Sequence, residues 1–119
     1  MLGTEYTDTV TLGKGLVITE QSIAVGSLTT GTPLNGAHPL NGADGVLGLG
    51  PVNLTLGTLP NAPTTTITTV THNLYIQGII PTELVCISFE PVSPTDITLG
   101  QLAFGGVDTS RYTGNIAFA

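Results

Sequence analysis

Charged side chains are scarce in this chain of 119 residues, since they make up only 8% of it, against roughly 25% in ordinary globular domains. Only Lys14 and Arg111 are basic, and the formal net charge is -6. Binding to nucleic acid or to anionic lipid needs basic groups that neutralise phosphates. The composition therefore predicts no nucleic-acid partner and no anionic membrane target. Low charge also suits a protein that works at acidic pH, where carboxylates are partly neutral.

The sequence also lacks long apolar runs and has a single cysteine. No run reaches the roughly 18 apolar residues that a membrane-spanning helix needs, so we expect no membrane insertion. Residues 1–6 have neither a basic nor an apolar segment, so we do not expect them to be a signal peptide. The lone cysteine, Cys86, excludes an internal disulfide. It lies in the apolar run of residues 84–89, which predicts a small core side chain.

The first third of the chain predicts a β-hairpin. Residues 6–12 alternate threonine with other residues, and this period of two with many β-branched side chains predicts a strand. Gly13-Lys14-Gly15 predicts a tight turn, after which Leu16 begins the second strand. The apolar positions of that strand change parity between residues 16–18 and 23–25, which predicts a bulge near residues 20–22.

Residues 44–50 read DGVLGLG, in which three glycines (Gly45, Gly48 and Gly50) interrupt an apolar run. Glycine inside such a run usually marks a bulge or the close approach of another backbone. We therefore expect a buried strand against which another segment packs. Asp44 begins the heptad, and backbone capping is a more plausible role for it than catalysis. Before the heptad, the tandem repeat PLNGA (residues 33–37 and 39–43) predicts a surface loop that carries a solvated His38.

The second half of the chain predicts one short helix and a second hairpin. Pro63 is a candidate helix start, and Gly78 is a candidate stop; His72, on or beside this helix, is expected to be solvated or to cap it. Residues 83–91 and 97–105 are expected to form two strands around a polar loop. Asp108 is expected to cap a short helical turn that runs to Tyr112.

Catalytic constellations are missing from the sequence. His38 and His72 are far apart and no second cysteine exists, so no metal site is expected, and no cofactor motif is present. Residues 108–110 read DTS, which lacks the glycine of an aspartic nucleophile loop. The one modification signal is Asn53-Leu54-Thr55, which fits the acceptor pattern for N-glycosylation.

Four ordered motifs resemble the pepsin-like aspartic proteases, in particular those secreted by basidiomycete fungi. They are GTEYTDTV at residues 3–10, DGVLGL at 44–49, NLYIQG at 73–78 and FGGVDTSRYTG at 104–114. The resemblance implies a mostly β fold and a single domain over residues 1–119, the latter part of one protease lobe. That part would contain antiparallel hairpins, a remnant of a double-psi-type β-barrel and one or two short helices. It also implies a secreted protein.

The same resemblance places the catalytic chemistry outside this sequence. The family uses two aspartates, each in Asp-Thr/Ser-Gly, which share a proton across a water molecule. Neither motif occurs among the 119 residues, so no catalytic residue is assigned and no peptidase activity is expected. Residues that match Ala43 and Val46 line apolar subsites in the family, and Asp44, Gly45, Gly48 and Gly50 match its structural glycine motif.

Two functions remain open from the sequence. The first is a non-catalytic fragment or truncated relative of a secreted fungal aspartic protease. The second is a stand-alone small fungal protein with a binding role, for example an immunomodulatory protein that acts on an unidentified cell-surface receptor. In either case half a lobe exposes strand edges and the apolar residues Val46, Leu47 and Leu49. We therefore expect a homodimer or a swapped arrangement that covers them.

Overall fold

Two antiparallel hairpins and one short helix form the described part of the protein. The structure is a computed structural model, and it describes residues 2–27, 45–89 and 100–116. The elements are β1 (Leu2–Gly13), β2 (Leu16–Ser27), α1 (Val70–Ile76), β3 (Val85–Phe89) and β4 (Gly100–Phe104), with 3-10 turns at Val52–Thr55 and Thr109–Arg111. The predicted mostly β class with short helices is confirmed. Within these ranges no helix has the length and apolar character to cross a membrane. The tandem repeat with His38, Ala43 and Asp44 lies outside the described residues.

The first hairpin follows the sequence prediction, including its bulge. Lys14 and Gly15 make the turn between β1 and β2, which pair antiparallel. Thr9 of β1 faces two residues of β2, because the register steps from Asp8 opposite Gln21 to Val10 opposite Ile18. The extra residue, Glu20, has a φ of 54°, a left-handed conformation that costs a non-glycine residue roughly 1 kcal/mol. The bulge keeps Ile18 and Gln21 on the same face of the hairpin, despite the change of parity between them.

The core lies where α1 packs on β2. Its buried apolar residues are Ile18, Val70, Leu74 and Ile80, and Leu12, Leu16, Ile79 and Phe104 pack partly buried around them. The helix predicted to begin at Pro63 begins only at Val70, and residues 63–69 are irregular. The β-branched residues 64–69 explain the difference, because they lose side-chain freedom in a helix. The predicted stop is confirmed, since Gly78 follows the helix with a φ of 70°.

The second hairpin is confirmed, with β3 beginning at Val85 rather than at residue 83 and β4 ending at Phe104 rather than at residue 105. β3 and β4 pair antiparallel from Val85 opposite Phe104 to Phe89 opposite Gly100, while residues 90–99 lie outside the described part. Cys86 is only half-buried, so the prediction that it belongs to the core is wrong. The short two-stranded sheet explains this, because among the described residues nothing fully covers either of its faces.

Candidate functional site

The glycine heptad, residues 44–50, is the region in which the family resemblance placed part of the substrate wall. Its described residues are exposed, except Leu49, which is half-buried. Residues 45–49 form no strand, and the side chains of Val46 and Leu47 are 82% and 44% exposed. A Cβ placed on Gly45 or Gly48 would meet no described atom within 4 Å. The prediction of a buried strand packed against another backbone is therefore wrong for this chain. An apolar run becomes a buried strand only where a partner removes it from water, and no described strand pairs with this one.

Gly50 is the one heptad glycine with a close neighbour. A Cβ at this position would lie 3.3 Å from Cδ1 of Leu54, in the 3-10 turn Val52–Thr55. The end of the heptad thus lies close to the following turn, whereas Val46 near its start faces solvent. The capping role predicted for Asp44 and the wall position Ala43 lie outside the described residues.

A second apolar surface lies on the hairpin face that carries the core. Tyr6 pairs with Ile23, and Thr4 pairs with Val25, so their side chains continue the face of Ile18 and Gln21. We call Tyr6, Ile23 and Val25 the uncovered stripe, because they are 56%, 38% and 59% exposed. The helix α1 covers the half of the face near the turn, and among the described residues nothing covers the other half.

Side-chain amides lock α1 onto β2. Gln21 is buried: Asn73 Nδ2 donates to its Oε1 at 2.9 Å, and its own Nε2 donates to the carbonyl of Thr68 at 3.3 Å. At the end of the helix, Gln77 Nε2 donates to the carbonyl of Thr19 at 2.9 Å, and the Thr19 N–H donates to Gln77 Oε1 at 3.1 Å. A buried amide that lost its partner would cost about 1–3 kcal/mol, so these pairs fix how the helix seats.

Four of the five described side-chain carboxylates have structural partners, and the fifth, Glu20, is exposed at the bulge. The hydroxyl of Ser22 donates to Glu5, and the N–H of Thr9 donates to Asp8 at 2.7 Å. Glu83 Oε1 lies 3.0 Å from Nδ1 of His72. The side chain of His72 is 30% exposed beside this carboxylate, so it is only partly solvated, and it lies within α1 rather than capping it. The pair joins α1 to the segment before β3, and no local pattern signals a contact across eleven residues.

Asp108 caps the turn Thr109–Arg111, as predicted. The hydroxyl of Ser110 donates to Asp108 Oδ1 at 2.6 Å, and the backbone N–H of Ser110 donates to the same oxygen at 3.0 Å. These two bonds, in that order of importance, hold the pKa of Asp108 below its ordinary value. A carboxylate engaged in this way stabilises a turn and is poorly placed to act as a nucleophile. The likeness of residues 108–110 to a catalytic loop is therefore superficial.

A cavity of about 240 Å³ lies between the second hairpin and this turn. Its walls are mainly apolar and include Cys86, Ala103, Val107, Tyr112 and Ile116, with Asp108 and Arg111 also contributing. Nε of Arg111 is 3.8 Å from Oδ2 of Asp108. Within the described ranges, no group of three His, Cys, Asp or Glu side chains could hold a metal ion.

Comparison with known proteins identifies the family. Residues 1–119 match the family model of the eukaryotic aspartyl proteases. The chain belongs to this family. The match covers every residue of the chain, in agreement with the four motifs that resemble pepsin-like enzymes.

Individual aspartyl proteases support the same assignment. The chain is 52% identical over 116 residues to polyporopepsin from Irpex lacteus and 28% identical over 127 residues to cathepsin D from Dictyostelium discoideum. It also matches the crystal structure of the aspartic proteinase from Irpex lacteus with a TM-score of 0.79 over 94% of the chain. The chain spans about a third of these curated relatives, 32% and 30% of their lengths, so most residues of each relative have no counterpart here.

Proposed function

We propose that these 119 residues form the latter part of the first lobe of a secreted fungal aspartic protease, and that by themselves they do not hydrolyse peptides. In the intact enzyme they would support the catalytic loop and contribute part of the substrate wall. The observation that carries the proposal is the match in fold to an aspartic proteinase over 94% of the chain, by a sequence that contains no Asp-Thr-Gly or Asp-Ser-Gly.

The chemistry of the family explains why the isolated residues would be inactive. Two carboxylates a few ångströms apart cannot both ionise, so one serves as base and the other as acid around a shared water. The described carboxylates that have partners bind a serine, a backbone N–H or a histidine, as set out above. A single substrate wall could bind a peptide side chain weakly, but it would not activate water.

Val46 supports the wall assignment. Its side chain is 82% exposed at the start of the heptad, where an apolar side chain of a peptide could reach it. Burying a valine-sized contact contributes about 1.5 kcal/mol or somewhat more, which falls well short of the roughly 4 kcal/mol that a millimolar dissociation constant requires. Substrate binding by this part would therefore need the opposite wall, the flap and the second lobe.

Secretion is part of the proposal. The family relatives and the scarcity of charge support it. An acidic extracellular medium would leave few charges on a chain with a calculated pI of about 4.3.

The uncovered stripe favours a second candidate function, a stand-alone binding protein. Tyr6, Ile23 and Val25 form an apolar surface beside open strand edges, and such surfaces commonly bind other proteins. The first occupant we propose is a second copy of the chain, and a cell-surface receptor on host or immune cells is the alternative.

Transcripts from the source organism separate the two candidates. The protease proposal predicts one open reading frame that encodes Asp-Thr-Gly upstream of Gly3 and a second Asp-Thr/Ser-Gly downstream of Gly114. A transcript that encodes these 119 residues alone, or follows them with unrelated sequence, would contradict it. In that case binding of the purified chain to immune cells, compared with a Tyr6→Lys and Val25→Lys double variant, becomes the decisive assay.

A further inference from the structure

The 3-10 turn Val52–Thr55 contains the acceptor pattern Asn53-Leu54-Thr55, and its two polar residues have different surroundings. Asn53 is exposed, and its side chain makes no hydrogen bond to another described residue. Thr55 is half-buried, and the backbone N–H of Ile67 donates to its hydroxyl at 2.7 Å. The same hydroxyl lies 2.7 Å from the carbonyl of Val52 and 3.1 Å from that of Ile67. We call these contacts the Thr55 latch.

The latch joins the turn to the segment that leads into α1. Residues 55 and 67 are twelve positions apart, and the Thr55 hydroxyl both accepts from Ile67 and donates to a carbonyl. These hydrogen bonds give threonine at position 55 a structural role. Oligosaccharide transfer requires that same hydroxyl, because the acceptor pattern is asparagine followed two residues later by serine or threonine. In the folded chain, the Thr55 hydroxyl that the transferase must recognise is therefore already engaged in hydrogen bonds.

We propose that Asn53 is an N-glycosylation site that is modified before the Thr55 latch closes. The proposal rests on the secretion included in the proposed function. In the transfer step, Nδ2 of Asn53 bonds to C1 of an oligosaccharide whose donor is a lipid-linked pyrophosphate. The bond between C1 and the pyrophosphate oxygen breaks, its electron pair leaves with the lipid pyrophosphate, and the proton lost from Nδ2 passes to solvent.

The surroundings of Asn53 suit a glycan in the folded protein. Leu54 and Leu56, on either side of Thr55, are 75% and 56% exposed. A bulky, soluble oligosaccharide on the adjacent exposed asparagine would shield these apolar side chains without entering the core. The turn lies at the surface, and no leucine between Thr55 and the half-buried Leu59 is buried.

Secretion from a eukaryotic host, driven by an added leader peptide, tests the site. We expect the intact mass of the secreted chain to exceed the polypeptide mass by one oligosaccharide, which peptide-N-glycosidase removes. Asn53→Gln and Thr55→Ala should abolish the increment, and Thr55→Ser should keep it. A matched positive control is Pro63→Thr in the Asn53→Gln background, which makes exposed Asn61 an acceptor. An unmodified wild-type chain beside a modified control would overturn the proposal.

An in vitro assay tests the order of events and does not depend on secretion. The chain made in bacteria is offered, unfolded or folded, to purified oligosaccharyltransferase with its lipid-linked donor. We expect the folded chain to react on the order of tenfold more slowly, because freeing the Thr55 hydroxyl requires local unfolding. Equal rates would contradict the latch, and no reaction of the unfolded chain would contradict the site. Neither assay measures proteolysis, so failure here leaves the proposed function standing.

The latch itself has a separate readout. In unglycosylated protein, Thr55→Ala should lower the urea midpoint, because the Ile67 N–H loses its acceptor. Asn53→Gln should leave the midpoint unchanged, since the Asn53 side chain is exposed. If both variants unfold at the wild-type midpoint, Thr55 has no structural role and the predicted order of modification and folding is wrong.

Discussion

The side-chain amide of Gln77 binds the backbone of Thr19 as a neighbouring strand would, with Nε2 donating to the carbonyl at 2.9 Å and Oε1 accepting from the N–H at 3.1 Å. Thr19 lies at the bulge, opposite Thr9, where the pairing of β1 and β2 shifts. Gln77, the residue before the glycine of the NLYIQG motif, thus supplies the backbone of Thr19 with hydrogen-bond partners where the strand pairing is irregular. The same two bonds hold α1 against β2.

Gln77→Ala should therefore destabilise the chain by about 1 kcal/mol, the usual net value for hydrogen bonds that are partly exposed. Thr19→Ala is the matched control, because it removes only the hydroxyl bond to Oε1 and leaves both backbone bonds in place. The urea midpoint, measured by circular dichroism, is the readout. Equal urea midpoints for the Gln77 and Thr19 variants would show that the two bonds between the Gln77 amide and the Thr19 backbone do not stabilise the fold.

Gly105 tests the packing of the FGGVDTSRYTG motif. Its φ is 79°, its N–H donates to the carbonyl of Leu84 at 2.8 Å, and an added Cβ would lie 2.6 Å from Cβ of Ile80. Gly105→Ala should cost roughly 1–3 kcal/mol, because it adds volume against a core residue. Gly106→Ala, where a Cβ meets no described atom within 4 Å, should be close to neutral. Similar unfolding midpoints for the two variants would be the contrary result.

Asp108 gives a pH-dependent prediction. Hydrogen bonds from Ser110 hold its pKa below the ordinary value, so Asp108 stabilises the fold above the unfolded-state pKa of about 3.9. That contribution is lost as the pH falls through the lower pKa of the folded state. An NMR titration should place the pKa of Asp108 higher in Ser110→Ala than in wild type, whereas Ser88→Ala should not change it. If the pKa of Asp108 in Ser110→Ala equals that in wild type, the Ser110 hydroxyl is not the cause of the lowered pKa.

Self-association follows from the uncovered stripe. If a second copy covers Tyr6, Ile23 and Val25, the purified chain should form dimers as its concentration rises, and Tyr6→Lys or Val25→Lys should weaken them. Thr7→Lys is the control, because Thr7 lies on the opposite face of β1. Sedimentation velocity measures the distribution of species. A wild-type chain that stays monomeric at high concentration would contradict this prediction.

Local patterns predicted the elements whose causes are local. The alternation of residues 6–12 predicted β1, and the parity change predicted the bulge, since Ile18 and Gln21 both face the core. Glycine at position 78 predicted the helix end, and Asp108 predicted its turn. Each of these features depends on residues within a few positions of one another, so the sequence displays the cause directly.

Patterns failed where a partner distant in sequence decides the structure. The heptad has the composition of a buried strand, yet burial depends on a segment that must pack on it, and the exposed Val46 has none among the described residues. The helix begins at Val70 rather than at Pro63 because only the part that contacts Ile18 gains enough packing. The pair of Gln77 with Thr19, 58 residues apart, and the contact of His72 with Glu83 gave no local signal. Family resemblance, rather than periodicity, supplied the site residues Ala43 and Val46.

Hydrolysis of acid-denatured haemoglobin by the pure 119-residue chain at acidic pH tests the central claim most directly. Polyporopepsin serves as the positive control, and release of acid-soluble peptides is measured with and without a transition-state mimic. We predict no release above the protein-free blank at any concentration of the chain, because no pair of Asp-Thr/Ser-Gly aspartates is present to activate water. Cleavage that grows with chain concentration and is blocked by the mimic would contradict the claim that the catalytic chemistry of this family lies outside these residues.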